Sequence, residues 1–110
     1  MEEASRRESR YFKLENGKEP VREWLDSLKD LRGKAKIYTR IKRAESGNFG
    51  DHKRFDGIIE LRLSVGPGYR VYCGVDDSDN LIILLVAGDK STQKNDIKLA
   101  KKYWKEFLED

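Results

Sequence analysis

Apolar positions along this chain change their period, and the changes mark its elements. Val21, Trp24, Leu25 and Leu28 recur at i, i+3, i+4 and i+7, the stripe of an amphipathic helix, and Pro20 suits its first turn. Gly33 interrupts the pattern after Leu31. A second helix is expected from there to about Glu45, with Ala35, Ile37, Tyr38, Ile41 and Ala44 turned inward. SGNFGD at 46–51 closes it, and His52 follows in what reads as a polar loop. The period then falls to two. Ile59, Leu61, Leu63 and Val65 alternate with Ile58, Glu60, Arg62 and Ser64, predicting a half-buried strand. Gly66-Pro67-Gly68 reverses the chain. Tyr69, Val71, Cys73 and Val75 then alternate with Arg70, Tyr72 and Gly74 in a second strand. DDSDN at 76–80 reads as a turn, and the unbroken apolar run at 81–87 as an inner strand covered on both faces. The last helix carries Ile97, Ala100, Trp104, Phe107 and Leu108 on one stripe.

Before the first helix, residues 10–14 alternate as a short strand that ends at Asn16-Gly17, and residues 1–8 are expected to fray. The predicted order is β-α-α-β-β-β-α, an α+β fold in which helices pack a small, mainly antiparallel sheet. At 110 residues it is expected to form one domain, 1–110.

Composition narrows the class. Hydrophobic residues at 37% against 39% charged predict a folded, soluble chain rather than a disordered one. No apolar run approaches the roughly 18 residues of a membrane span, and MEEASRRESR has no hydrophobic stretch of a signal peptide. The single Cys73 allows no internal disulfide and reads as core, so a reducing cytoplasm is the expected location. The net charge of +3 hides clustering: Lys34, Lys36, Arg40, Lys42 and Arg43 follow one another without an acid. Lys36, Arg40 and Arg43 form a stripe on the second helix.

Candidate chemistry gathers at the Gly-Pro-Gly reversal. Glu60 and Arg62 share one strand face, as do Arg70 and Tyr72, and closure of the hairpin would put all four on one surface with Lys53 nearby. Arginine suits phosphate because its planar fork donates paired hydrogen bonds and keeps its charge. The plainer alternative is that Glu60 pairs with Arg62 or Arg70 on a solvated face. GDKSTQ at 88–93 supplies Lys90 and, in Ser91 or Thr92, a helix cap, without the spacing of a P-loop. His52 is the only histidine, so no histidine pair and no metal-ligand cluster is expected, and Asp76, Asp77 and Asp79 lack the rest of a calcium loop. Trp24 and Trp104 are expected in the core.

GNFGDHKRFDG, IELRLSVGPGYRVY and LLVAGDKSTQKNDIKLAKK, in that order, resemble the RelE/ParE superfamily of toxins from type II toxin–antitoxin systems. The nearest branch is the HigB-like, phage-related addiction module killer proteins, and the likeness spans about residues 10–105. It implies a cytoplasmic, ribosome-dependent mRNA endoribonuclease needing no metal or cofactor, restrained by a helix-turn-helix antitoxin. The catalytic residues it implies are Arg70 as phosphate clamp, Arg62 on the preceding strand and Lys90 after the last strand. Lys53, Tyr72 and Gln93 are implied substrate contacts. Where RelE carries a tyrosine on its final helix, QKNDIKLAKKY offers Gln93, Asn95 and Asp96, with Tyr103 too far along to be equivalent, and Glu60 stands where RelE-type enzymes carry lysine. Glu60 and Asp96 are therefore the candidate general bases. The alternatives are a ParE-like poison of DNA gyrase without nuclease activity, or a decayed toxin that binds antitoxin as a regulator. The stripe Lys36, Arg40 and Arg43 is open between ribosomal RNA, an acidic antitoxin and water.

Overall fold

The computed structural model describes residues 6–110. Strand β1 (Glu8–Tyr11) precedes helices α1 (Pro20–Ser27) and α2 (Leu31–Glu45). Strands β2 (His52–Phe55), β3 (Ile58–Arg62), β4 (Tyr69–Asp76) and β5 (Leu81–Asp89) follow, then a single 3₁₀ turn at Lys90–Thr92 and helix α3 (Gln93–Glu109). The strands form one sheet in the order β1-β5-β4-β3-β2, antiparallel except where β1 runs parallel to β5. The fold is α+β, with helices packed on a mostly antiparallel sheet. Among the described residues, no helix is long and apolar enough to cross a membrane.

Alternation divides the strand residues between two faces. Ile59, Leu61, Val71, Cys73, Ile82, Leu84 and Ala87 face α1 and α2, which contribute Val21, Leu25, Ile37, Ile41 and Ala44. Ile58, Tyr72, Ile83, Leu85 and Val86 face α3, which contributes Ala100 and Trp104. The two faces stay in phase because β5 holds a bulge. Tyr72 pairs with Val86 while Cys73 pairs with Leu84, leaving Leu85 as the extra residue. Gly74 opens the floor under α3, since a methyl group there would overlap the Trp104 ring.

Several expectations are corrected. Residues 52–55 are a strand rather than a loop. Asp56 and Gly57, at φ 41 and 90, make the two-residue turn that pairs Phe55 with Ile58, so the sheet gains an edge strand. HKRF hid it because its side chains are mostly exposed and no apolar alternation marks it. Strand β3 is covered on both faces, with only Arg62 partly exposed, rather than half-buried. Gly33 lies inside α2: Asp30 caps that helix by accepting the Gly33 N–H at 3.0 Å, and glycine leaves room for the Tyr69 ring. Ala35 and Tyr38 point outward, as does Leu108. Trp104 is buried, whereas Trp24 is half-buried and packs its edge against Tyr69. The first strand starts at Glu8, not Arg10, and the Arg7 N–H donates to the Glu45 carbonyl at 2.8 Å. The expected fraying of 1–8 thus fails at its C-terminal end, and its first five residues lie outside the described residues.

Candidate functional site

The reversal between β3 and β4 is built by backbone geometry. Gly66 and Gly68 hold φ 54 and 82, and the Gly68 N–H donates to the Val65 carbonyl at 3.0 Å. The resulting register sets Arg62 opposite Arg70 and Glu60 opposite Tyr72. Across the neighbouring ladders, Arg70 faces Gly88 and Lys53 faces Glu60. Residues directly opposite in a ladder share a face, so Lys53, Glu60, Arg62, Arg70, Tyr72 and Gly88 all lie on the α3 side. The grouping expected from spacing is therefore present.

Arg70 is held by the turn itself. Its Nη1 donates to the Gly68 carbonyl at 3.0 Å and the Tyr69 carbonyl at 3.2 Å. Its Nε is buried without a partner, and among the described residues no carboxylate pairs with it. Lys90 is exposed on the 3₁₀ turn, and Gly68 lies between its Cβ and the Arg70 guanidinium, each 3.4 Å from where a Gly68 methyl would sit. Two cations thus flank the hairpin, and Arg62 is the third.

Glu60 organises the floor of the site. It is 0% exposed, its Oε1 accepts from Arg62 Nε at 2.7 Å, and its Oε2 accepts from Gln93 Nε2 at 2.8 Å. Burial pushes its carboxyl up, but the bonds from Gln93 and Arg62 outweigh this and hold it below the ordinary 4.5. Glu60 does pair with Arg62, as the plainer alternative expected, yet in a dry setting rather than on a solvated face. Tyr72 is buried beside it, with a hydroxyl that forms no well-shaped hydrogen bond. Burial first, and the Glu60 charge second, push that phenol far above its ordinary range and keep it a neutral donor.

Asp96 sits on the first turn of α3 and accepts a hydrogen bond from Thr92 Oγ1. It fits against the sheet only because Gly88 lacks a side chain, since a methyl group there would overlap both Asp96 and Thr92. Burial raises its pKa above the ordinary 3.8. Thr92 holds the N-cap position of α3 but makes no side-chain cap bond, and Asp89 caps the 3₁₀ turn before it: its carboxylate accepts the Ser91 N–H at 2.8 Å and its own N–H donates to Thr92 Oγ1 at 3.3 Å.

The remaining candidates lie apart or do other work. Lys53 is exposed on β2 with its ammonium 5.0 Å above the Phe55 ring. His52 is exposed, its Nδ1 2.8 Å from the Gly50 carbonyl. Cys73 is buried among the α1 and α2 contacts, and burial pushes its thiol up to about 12. Asp76 binds the Ser78 N–H and hydroxyl within its turn. The basic stripe divides: Arg40 Nη1 donates to the Arg62 carbonyl at 2.6 Å, while Lys36 and Arg43 stay exposed beside Ser64 and Val65. Gly88 carried no signal as a site residue. Its role comes from the bulge upstream and the helix above.

Chemically, the accessible part of the site is its three cations, Arg62, Arg70 and Lys90, whose donors suit an oxyanion with several oxygens, while the Arg70 Nε and the Tyr72 phenol lie buried behind them. No family model and no solved structure matches the chain. It is 60% identical over 79 residues, 71% of this chain and 79% of the other, to a protein of Haemophilus influenzae described as uncharacterized. Likeness of that degree and extent is common descent, and the chain belongs to the same family as that Haemophilus influenzae protein.

Proposed function

We propose that this chain is the toxin of a type II toxin–antitoxin pair, a RelE/ParE-like endoribonuclease that cuts mRNA on the ribosome in the cytoplasm. On this reading a helix-turn-helix antitoxin restrains it, and its chemistry needs no metal or cofactor. The observation that carries the reading is the meeting of Arg62, Arg70 and Lys90 around one hairpin, with Arg70 fixed by backbone carbonyls and, among the described residues, bound to no carboxylate. The α+β fold, helices on a mostly antiparallel sheet, is compatible with it, with β2 added at the edge to the expected order.

In such a cleavage, a ribose 2′-oxygen forms a bond to the adjacent phosphorus while the bond from phosphorus to the 5′-oxygen breaks. The 2′-hydroxyl proton leaves to a base, and the 5′-oxygen gains one. Cations on the phosphate lower the barrier by neutralising charge that grows in the transition state. Asp96 suits the base better than Glu60, because Glu60 is buried with both oxygens engaged. Burial raises the Asp96 pKa above its ordinary 3.8, the direction that makes a carboxylate a stronger base.

Purified protein added to a translation extract is expected to cleave transcripts at the ribosomal A site. Arg70→Ala is expected to lose that activity by about 100-fold or more. Intact transcripts with unaffected translation would overturn the reading. Intact transcripts with accumulated gyrase cleavage complexes would replace it with the gyrase-poison alternative.

A further inference from the structure

The same carboxylate that steadies Arg62 also decides which way Gln93 faces. An ionised carboxylate has only acceptor atoms, so the side-chain amide beside Glu60 must turn its NH₂ group toward Oε2. The carbonyl arm of the planar amide then points away from Glu60. Gln93 is partly exposed, and among the described residues no donor reaches its Oε1. Arg62 Nε and Gln93 Nε2 bind the two oxygens of one carboxylate, at 2.7 and 2.8 Å, so the outer ends of both side chains are neighbours. The Arg62 end carries donors. The Gln93 end carries a fixed acceptor among cations that otherwise offer donors alone.

We infer that Gln93 is a specificity-determining residue that selects a ligand bearing a hydroxyl donor beside its phosphate, a ribonucleotide strand rather than a deoxyribonucleotide one. The inference rests on the phosphate-site reading above. A phosphate on Arg62 and Arg70 satisfies their donors in either nucleic acid. Only the ribose 2′-hydroxyl donates a hydrogen bond to the Gln93 carbonyl in the bound strand, and without it that oxygen loses water and gains nothing. Glu60 acts here as a positioning residue through Gln93. Its burial keeps the amide from exchanging its two ends, which a solvated neighbour would allow.

The test is equilibrium binding of the full chain, by fluorescence anisotropy at one fixed salt concentration, to three single strands of one sequence and roughly 12 nucleotides. One strand is RNA, one is 2′-O-methyl RNA, and one is DNA with uracil for thymine. The methylated strand keeps the ribose oxygen and removes its proton, so it isolates the donor from sugar shape. Wild type is expected to bind RNA about tenfold more tightly than either other strand. Gln93→Met, similar in length without an acceptor, is expected to lose that margin while binding the other two within about twofold of wild type. Should Gln93→Met fail to give the wild-type melting profile, Glu60→Gln provides the second measurement. It removes the acceptor-only partner and is expected to reduce the RNA margin several-fold while Arg70 still binds phosphate. Arg70→Ala is expected to weaken all three strands alike.

Equal binding of the three strands by wild type overturns the role of Gln93 and leaves the phosphate site standing. So does a Gln93→Met defect that is equal across them, or an RNA margin that survives removal of both partners. No binding of any strand by wild type overturns the phosphate site together with this inference.

Discussion

On the face covered by α1 and α2, the inward residues from β3 to β5 are apolar, and at its margin the Tyr69 hydroxyl donates to the exposed Asp30 at 2.8 Å. On the face under α3, the same strands place Ile58, Gly74 and Ile83 toward one end and Glu60, Arg62 and Arg70 toward the other. Both faces come from one set of alternating sequences, so strand pattern is not what separates them. What separates them is how the helix is laid. Helix α3 seats Trp104 on Gly74 and brings only its first turn, Gln93 and Asp96, to the polar end. A buried charge survives there because each oxygen of Glu60 has a donor, whereas among the described residues no charged side chain is buried on the other face.

Removing the seat is the most severe way to break this contrast. Trp104→Ala is expected to cost about 3–5 kcal/mol in urea unfolding, since it empties the contact above Gly74 that no neighbour can fill. A loss below about 1 kcal/mol would mean that the α3 face does not depend on this ring.

The polar end of that face titrates in two opposite directions, which sharpens the contrast at smaller cost. Glu60→Gln is expected to lose about 1–3 kcal/mol at neutral pH, because Arg62 and Gln93 then face a neutral amide. Glu60 has a folded pKa below its ordinary 4.5, so its contribution is full above that pH and is lost as pH falls through the folded value. The gap between wild type and variant should therefore close on acidification. A gap that stays constant to pH 3 would contradict the ionised pair.

Asp96→Asn is expected to have the smallest effect and the reverse sign. Its folded pKa lies above the ordinary 3.8, so the stability linked to its protonated form is present below that pH and lost as pH rises through the folded value. The variant escapes that loss and should gain up to about 1 kcal/mol at neutral pH, vanishing below pH 3.8. A gain that persists unchanged in acid would point to a steric cause at Gly88 instead.

Much of the contrast was legible in the residues. Period-two alternation placed Glu60 and Arg62 on one face, Arg70 and Tyr72 on one face, and the Gly-Pro-Gly turn brought the pairs together. Alternation says which face a residue joins, however, and not what covers that face. Glu60 therefore read as partly solvated, although α3 returns Gln93 over it from 33 positions away in the chain. Strand β2 was missed for a related reason: an edge strand with exposed charges loses its apolar signature, and only Asp56-Gly57 marked the hairpin. Ala35, Tyr38 and Leu108 sit at helical spacing from core residues but at the margins of their stripes, where a turn of the helix carries them into water.

The extra residue at Leu85 has a wider meaning for how this chain tolerates change in length. An inserted residue in a regular strand exchanges inside and outside for everything beyond it. Here β5 absorbs the addition locally, so Ile82 and Leu84 before it and Ala87 after it still meet the same helices, and Gly88 still lies against Asp96. The strand is in effect two short reading frames joined at a hinge of one residue. Drift in the length of the apolar half need not be transmitted to the half that carries the arginines' neighbour.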